Sequence, residues 1–64
     1  MKEGKKYHID NDSVCQYEDE RFVDDVTLLE DVLDPEDGYV LCEAKNHRAT
    51  VLVPVRAILN GREL

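Results

Sequence analysis

The sequence predicts a mainly β fold, a small barrel of four or five strands with a short helical turn near the C-terminus. Two strand-like runs, 39–44 and 49–55, are separated by the polar turn 45–48. A strong turn at 34–38 precedes the first run, with Pro35 preset for an early turn position and Gly38 free to take positive φ. With 64 residues the chain holds one domain, 1–64, and its core must be thin.

The N-terminal part predicts one strand and one long loop. Residues 5–9 alternate weakly, which places Tyr7 and Ile9 on one face of a first strand. Residues 10–20 are rich in the turn-forming Asp, Asn and Ser. We expect a polar loop there.

The segment 21–33 carries two conflicting patterns. Apolar residues recur at helical spacing: Phe22, Val26, Leu29 and Leu33. Residues that prefer strands are interleaved with them: Val23, Val26, Thr27 and Val32. Because the turn at 34–38 leads directly into 39–44, we expect a strand at 26–33 and a hairpin. The alternative is an α+β fold with a helix at 22–33.

The C-terminal part predicts a strand followed by one turn of helix. Asn46 suits a left-handed position in the turn 45–48, and Pro54 indicates an edge or a strand end. Residues 55–59 are compatible with a helical turn that Asn60 and Gly61 would end. The predicted core consists of the apolar residues that these strands and this turn would bury: Tyr7, Ile9, Phe22, Val26, Leu28, Val32, Tyr39, Leu41, Val51, Val53, Val55 and Ile58.

The order of strand, long loop, hairpin, strand and short helical turn resembles that of small SH3-like barrels. The resemblance is carried by 26–32, 34–38, 39–44 and 50–55, about two thirds of the chain. It implies a fold rather than a function, because SH3-like barrels serve many functions. The chain has no Trp, so the aromatic groove that binds proline-rich peptides is not implied.

The charge distribution is the main indication of function. The net charge is −7, and the stretch from Asp10 to Asp37 contains twelve acidic residues and one basic residue, Arg21. Such a chain repels nucleic-acid phosphates and anionic membranes and attracts cationic protein surfaces. We therefore expect no direct nucleic-acid or membrane partner.

The sequence thus predicts a non-catalytic, acidic protein-interaction module, an inhibitor or regulator that binds a basic surface on a partner protein. A small acidic domain of this sort would suit an inhibitor or regulator, including the host-modulating proteins of phages. Its extreme form would be a nucleic-acid mimic that occupies a nucleic-acid-binding protein. The predicted partner-binding residues are the acids and two aromatic anchors of the acidic stretch: Glu18, Asp19, Glu20, Asp24, Asp25, Glu30, Asp31, Asp34, Glu36, Asp37, Tyr17 and Phe22.

Two other interpretations stay open. The first is a zinc-stabilised module with a Cys2His2 set: His8, Cys15, Cys42 and His47. The second is a structural subunit whose open β edge pairs with a neighbour. No spacing indicates a catalytic centre or a cofactor, and the charged N-terminus without an apolar stretch predicts a cytoplasmic protein.

Overall fold

The computed structural model describes residues 1–11, 21–33 and 38–64, and these form one antiparallel sheet with a short helix. The elements are β1 (Lys6–Asn11), β2 (Phe22–Leu28), β3 (Tyr39–Ala44), β4 (Ala49–Pro54), α1 (Val55–Leu59) and β5 (Arg62–Glu63). The strand order is β4-β3-β2-β1-β5. The mainly β prediction with a C-terminal helical turn is confirmed, and the sheet is open rather than closed into a barrel.

The core lies on one face of this sheet. It contains alternate residues of the strands together with the apolar side of α1: Tyr7, Ile9, Phe22, Val26, Leu28, Val40, Cys42, Ala44, Val51, Val53, Val55, Ala57 and Ile58. Helix α1 packs against both β1 and β4, which are not neighbours in the sheet. The sheet therefore curves around the helix, and this curvature covers the core of a small chain.

The segment 22–33 contains the expected strand, but the bounds of that strand differ from those predicted. The helix of the α+β alternative is absent from the described residues, because 22–28 form β2. The predicted strand begins four residues earlier than expected and ends at Leu28 rather than at residue 33. The burial of Phe22, Asp24, Val26 and Leu28 has the two-residue period of a strand. Leu33, which completed the helical spacing, is 95% exposed.

The bounds of β3 were predicted correctly, but the face it buries was not. Tyr39 is 56% exposed and Leu41 is 36% exposed, although both were expected in the core. The register pairs Val40 with Val53 and Cys42 with Val51. Because paired residues lie on the same face of a sheet, the buried valines of β4 draw Val40 and Cys42 inward.

Strand β1 extends to Asn11, two residues into the expected loop 10–20; the rest of that loop and residues 34–37 of the expected turn lie outside the described residues. Val32 is partly buried against the core rather than inside it. The turn at 45–48 is present, but its left-handed residue is Arg48, with φ 53, and not Asn46. Gly38 has φ 87, as its predicted place at the end of a turn requires.

Helix α1 has the predicted bounds and is followed by a close contact. The N–H of Asn60 donates to the carbonyl of Arg56, and the N–H of Gly61 donates to that of Ile58. A Cβ on Gly61 would lie 2.5 Å from the carbonyl oxygen of His8 in β1. Glycine at this position therefore allows β5 to pair with β1. Among the described residues, no helix is long and apolar enough to cross a membrane.

Candidate functional site

The excess negative charge lies in two stretches of the sequence that connect described strands. The described residues contain eight acids and eight Lys or Arg residues, so their formal charges balance. The other seven acids lie in the segments 12–20 and 34–37, which contain no Lys or Arg. These are the acidic segments, and their members are Asp12, Glu18, Asp19, Glu20, Asp34, Glu36 and Asp37. The net charge of −7 is therefore the charge of two short stretches of chain.

The two acidic segments are attached at opposite ends of the sheet. Segment 12–20 follows Asn11 and precedes Arg21, where Asn11 pairs with Phe22 at the start of β2. Segment 34–37 ends at Gly38, which precedes β3 and accepts a hydrogen bond from Val55 at 3.0 Å. The length of β2 separates the two attachment points, about 20 Å for a strand of this size.

The described members of the predicted partner-binding set fall into three classes by exposure. Glu30 and Asp31 are exposed; Glu30 accepts the N–H of Leu41 at 3.2 Å, and Asp31 accepts that of Glu3 at 2.8 Å. Asp25 is half-buried, with Oδ1 2.8 Å from Nδ1 of His8. Asp24 and Phe22 are each 1% exposed, so neither side chain is accessible to a partner. The other members lie outside the described residues: Tyr17, Glu18, Asp19, Glu20, Asp34, Glu36 and Asp37.

Asp24 is instead the anchor of the β3–β4 turn. Its carboxylate accepts the N–H of Asn46 at 2.8 Å and that of His47 at 2.9 Å. It also accepts the N–H of Asp25 at 2.7 Å, and Nδ1 of His47 lies 2.6 Å from its Oδ2. The His47 ring stacks on Phe22 with a centroid separation of 4.7 Å. A carboxylate of β2 thus receives the backbone donors of a turn far along the chain.

The protonation of Asp24 follows from this geometry. Burial alone would raise the pKa of the carboxyl, but the hydrogen bonds from Asn46, His47 and Asp25 outweigh burial and hold the pKa below its usual value. The carboxylate is therefore ionised and fully hydrogen-bonded inside the fold. Sequence reasoning missed this role. The available indication was an acid at an inward position of a strand, two residues from Phe22 and two from Val26.

Asp10 is an exposed acid whose charge is already paired. Its carboxylate accepts Nε and Nη2 of Arg21 at 2.7 and 2.6 Å. This hydrogen bonding to Arg21 lowers the pKa of Asp10. The lone cation of the 10–37 stretch is thus used within the protein, next to the attachment point of segment 12–20.

The described residues of the possible zinc set are His8, Cys42 and His47, and both histidines have other partners. Nδ1 of His8 lies beside Asp25 and Nδ1 of His47 beside Asp24. Cys42 is fully buried, and burial, with a smaller effect of the Glu30 charge, raises the pKa of its thiol to about 12. Cys15 lies outside the described residues. Within the described ranges, no three His, Cys, Asp or Glu side chains are grouped as a metal ion requires.

The outer face of the sheet is divided into a polar and an apolar part. A groove of about 600 Å³ crosses the polar part, where Lys6, Thr27, Glu43 and Thr50 form one cross-strand row. The apolar part is a second row, Leu29, Leu41 and Leu52, which are 36%, 36% and 46% exposed. We call it the leucine row. Tyr39 and Pro54 form the next pair on the same face.

Comparison with known proteins finds no matching protein-family model and no significant match among curated proteins or solved structures.

Proposed function

We propose that the protein is a non-catalytic acidic interaction module, an inhibitor or regulator that binds a basic surface on a partner protein through its acidic segments. The observation that carries the proposal is the partition of charge: the described residues contain equal numbers of acids and of Lys or Arg residues, and the other seven acids lie in the segments 12–20 and 34–37. We infer that these acids are available to a partner, because binding residues commonly lie in the segments that connect the strands of a rigid sheet.

The fold supports this function as a scaffold. A curved five-stranded sheet with a short C-terminal helix is compatible with a small SH3-like β fold. We infer that the sheet presents the acidic segments and that their carboxylates supply electrostatic attraction, with Glu30 and Asp31 as exposed acids beside segment 34–37. If the partner is a nucleic-acid-binding protein, the carboxylates would take the places of phosphates, and the module would act as a nucleic-acid mimic.

The test compares charge removed from an acidic segment with equal charge removed from described residues outside the acidic segments. The first variant changes Asp34, Glu36 and Asp37 to amides, and the matched control changes Glu3, Glu43 and Glu63 to amides. Both variants change the net charge from −7 to −4. The partner is isolated from nuclease-treated host lysate on the immobilised protein and identified after elution with salt.

We expect the segment variant to bind the purified partner about tenfold or more weakly, mainly through slower association, and the control to differ by less than about threefold. Affinity should also fall as the salt concentration rises. Equal losses in the two variants would show that net charge alone matters. Unchanged affinity in both would contradict the proposal. For the mimic, the protein should displace nucleic acid from the partner in a competition assay.

A further inference from the structure

We propose that the N-terminal residues form a strap that fixes Asp31 next to Glu30 before a basic partner binds. We call residues 1–5 the N-terminal strap. They are positioning residues, which act through Asp31 rather than by touching the partner. The inference deepens the proposed function and rests on it, because it assigns these two exposed acids to the surface that binds the partner. Three observations carry it: the hydrogen bonds of the strap, the contacts of the two carboxylates and the backbone of Gly4.

The N-terminal strap is hydrogen-bonded to the end of β2 and to the residues that follow it. The N–H of Gly4 donates to the carbonyl of Leu28 at 2.8 Å, and the N–H of Leu28 donates to that of Lys5 at 2.9 Å. At the other end of the strap, the N–H of Val32 donates to the carbonyl of Met1 at 2.8 Å. The Met1 nitrogen donates to the carbonyl of Val32 at 3.3 Å, and both side chains pack against the core. The strap is therefore held at both of its ends.

The two exposed acids after β2 are each fixed by a backbone donor. The carboxylate of Asp31 accepts the N–H of Glu3, in the strap, at 2.8 Å. The carboxylate of Glu30 accepts the N–H of Leu41, in β3, at 3.2 Å. The N–H of Leu29 donates to the carbonyl of Leu41 at 2.9 Å and ties the same stretch of chain to β3. The strap thus holds Asp31, and the sheet holds Glu30.

The two carboxylates held in this way can still bind a cation. Both side chains are exposed, and a carboxylate has about four acceptor positions, of which a single N–H occupies one. Their charge is therefore available to an Arg or Lys of the partner. A free side chain loses rotamer freedom when it binds, and fixing it beforehand removes part of that cost. The strap thus raises the affinity for a basic surface through Asp31, without a contact of its own.

The backbone of Gly4 makes the strap sensitive to a single substitution. Gly4 has φ 89, in the left-handed region that favours glycine. A Cβ at this position would meet no atom within 4 Å, so a side chain is disfavoured there by the backbone conformation rather than by a clash. Valine is strongly disfavoured at positive φ, whereas asparagine is among the residues that tolerate it. Gly4→Val and Gly4→Asn are therefore a matched pair: neither changes the charge, they differ little in size, and only the first opposes closure of the strap.

Amide hydrogen exchange measured by NMR on the full chain tests whether the strap opens. In Gly4→Val, exchange at Val32 should be about tenfold faster than in the wild type, because Val32 donates to the strap. Exchange at Leu29, which donates to β3, should change by less than about threefold, and this separates opening of the strap from unfolding of the sheet. Gly4→Asn should resemble the wild type at both amides. If Leu29 also exchanges faster in Gly4→Val, the less strained Gly4→Ala takes its place. Unchanged exchange at Val32 would overturn the inference.

The effect on binding is measured in the same variants, with a peptide of about ten arginines as the probe for a basic surface. The carboxyl carbon resonances of Asp31 and Glu43 are followed during the titration, since Glu43 is an exposed acid of β3 outside the strap. In Gly4→Val, the peptide concentration at half of the Asp31 shift should rise about fivefold, and that at Glu43 by less than about twofold. Gly4→Asn should match the wild type. An unchanged Asp31 midpoint in a variant with an open strap would overturn the inference.

Two further outcomes separate this inference from the proposed function. If the amide variant of segment 34–37 loses affinity for the purified partner and Gly4→Val does not, the inference is overturned and the proposed function stands. If neither the partner nor the arginine peptide binds the wild type, the proposed function fails and the assigned role of Asp31 fails with it. Faster exchange at Val32 in Gly4→Val would then describe a strap with a purely structural role.

Discussion

At the scale of single residues, Asp24 shows how an acid in an acidic stretch can have a purely structural role. The carboxylate is buried at the inner face of β2, where an isolated charge would be strongly destabilising. The backbone N–H groups of Asn46 and His47 in the β3–β4 turn donate hydrogen bonds to it. The same hydrogen bonds thus stabilise the buried carboxylate and fix the turn. Neither effect can be predicted from the sequence around Asp24 alone.

We predict that Asp24→Asn destabilises the protein by about 2–4 kcal/mol, because the amide presents a donor to backbone donors and loses the charge-assisted bonds. The pH dependence should change as well. The folded pKa of Asp24 lies below the unfolded value of about 3.9, so its stabilisation is complete above about pH 5 and is lost as the pH falls through the folded pKa. Urea unfolding at several pH values between about 3 and 7 measures both the loss of stability and its pH dependence, and the pH of that loss is compared with the unfolded pKa of about 3.9.

Asp25→Asn is the matched control for this prediction. Asp25 is the next residue, is half-buried and is paired with His8 on a partly exposed surface. Its loss should cost less than about 1 kcal/mol. Equal destabilisation by the two substitutions, or an Asp24 variant that keeps the acid-induced loss of the wild type, would contradict the anchoring role.

At the scale of elements, the sequence determined the type of structure better than the buried face. The bounds of β3 and α1 follow from local pattern, because β-prone residues are bounded by turns and Asn60-Gly61 ends the helix. The buried face of β3 does not follow from local pattern, because both faces of the strand are apolar enough to be buried: Tyr39 and Leu41 lie on one face, and Val40, Cys42 and Ala44 lie on the other. Register with β4 decides between them, and register is a property of two strands.

We predict that Gly61→Ala destabilises the protein by about 1–3 kcal/mol, because the new Cβ would meet the His8 carbonyl at 2.5 Å and force β5 or α1 away from β1. Thermal unfolding measures the loss, and NMR should place the largest shifts in β1 and β5. Asn60→Ala, at an exposed neighbouring position, should change stability by less than about 0.5 kcal/mol. A Gly61→Ala variant as stable as the wild type would show that this contact relaxes without cost.

At the scale of the whole molecule, the acidic character was predictable from composition, but its division was not. The sequence presents one stretch from Asp10 to Asp37. The fold divides it into a buried anchor at Asp24, a paired Asp10, a β2 strand and two segments at opposite ends of the sheet. The position of β2 determines which acids are available to a partner. That position could not be predicted from the sequence, because apolar residues at helical spacing in 22–33 competed with the strand pattern.

We predict that the melting temperature rises as salt increases from low to moderate concentration, because screening reduces repulsion among the excess acids that give the chain its net charge of −7. Differential scanning calorimetry at constant pH and several sodium chloride concentrations measures this. Amide substitution of Asp34, Glu36 and Asp37 should reduce the slope, since it removes part of the repulsion. A melting temperature that falls with salt would show that attractive ion pairs, such as Lys5–Glu63, dominate instead.

The anchoring of the turn by Asp24 has a consequence for the order of folding. A hairpin of β3 and β4 closes a short loop and can form early, but its turn donors find their acceptor 22 and 23 residues away in β2. The hairpin is therefore incomplete until the preceding strand docks, and losing that strand exposes the donors again. This dependence joins a local and a distant step into one cooperative transition, as expected for a small single domain that folds in two states.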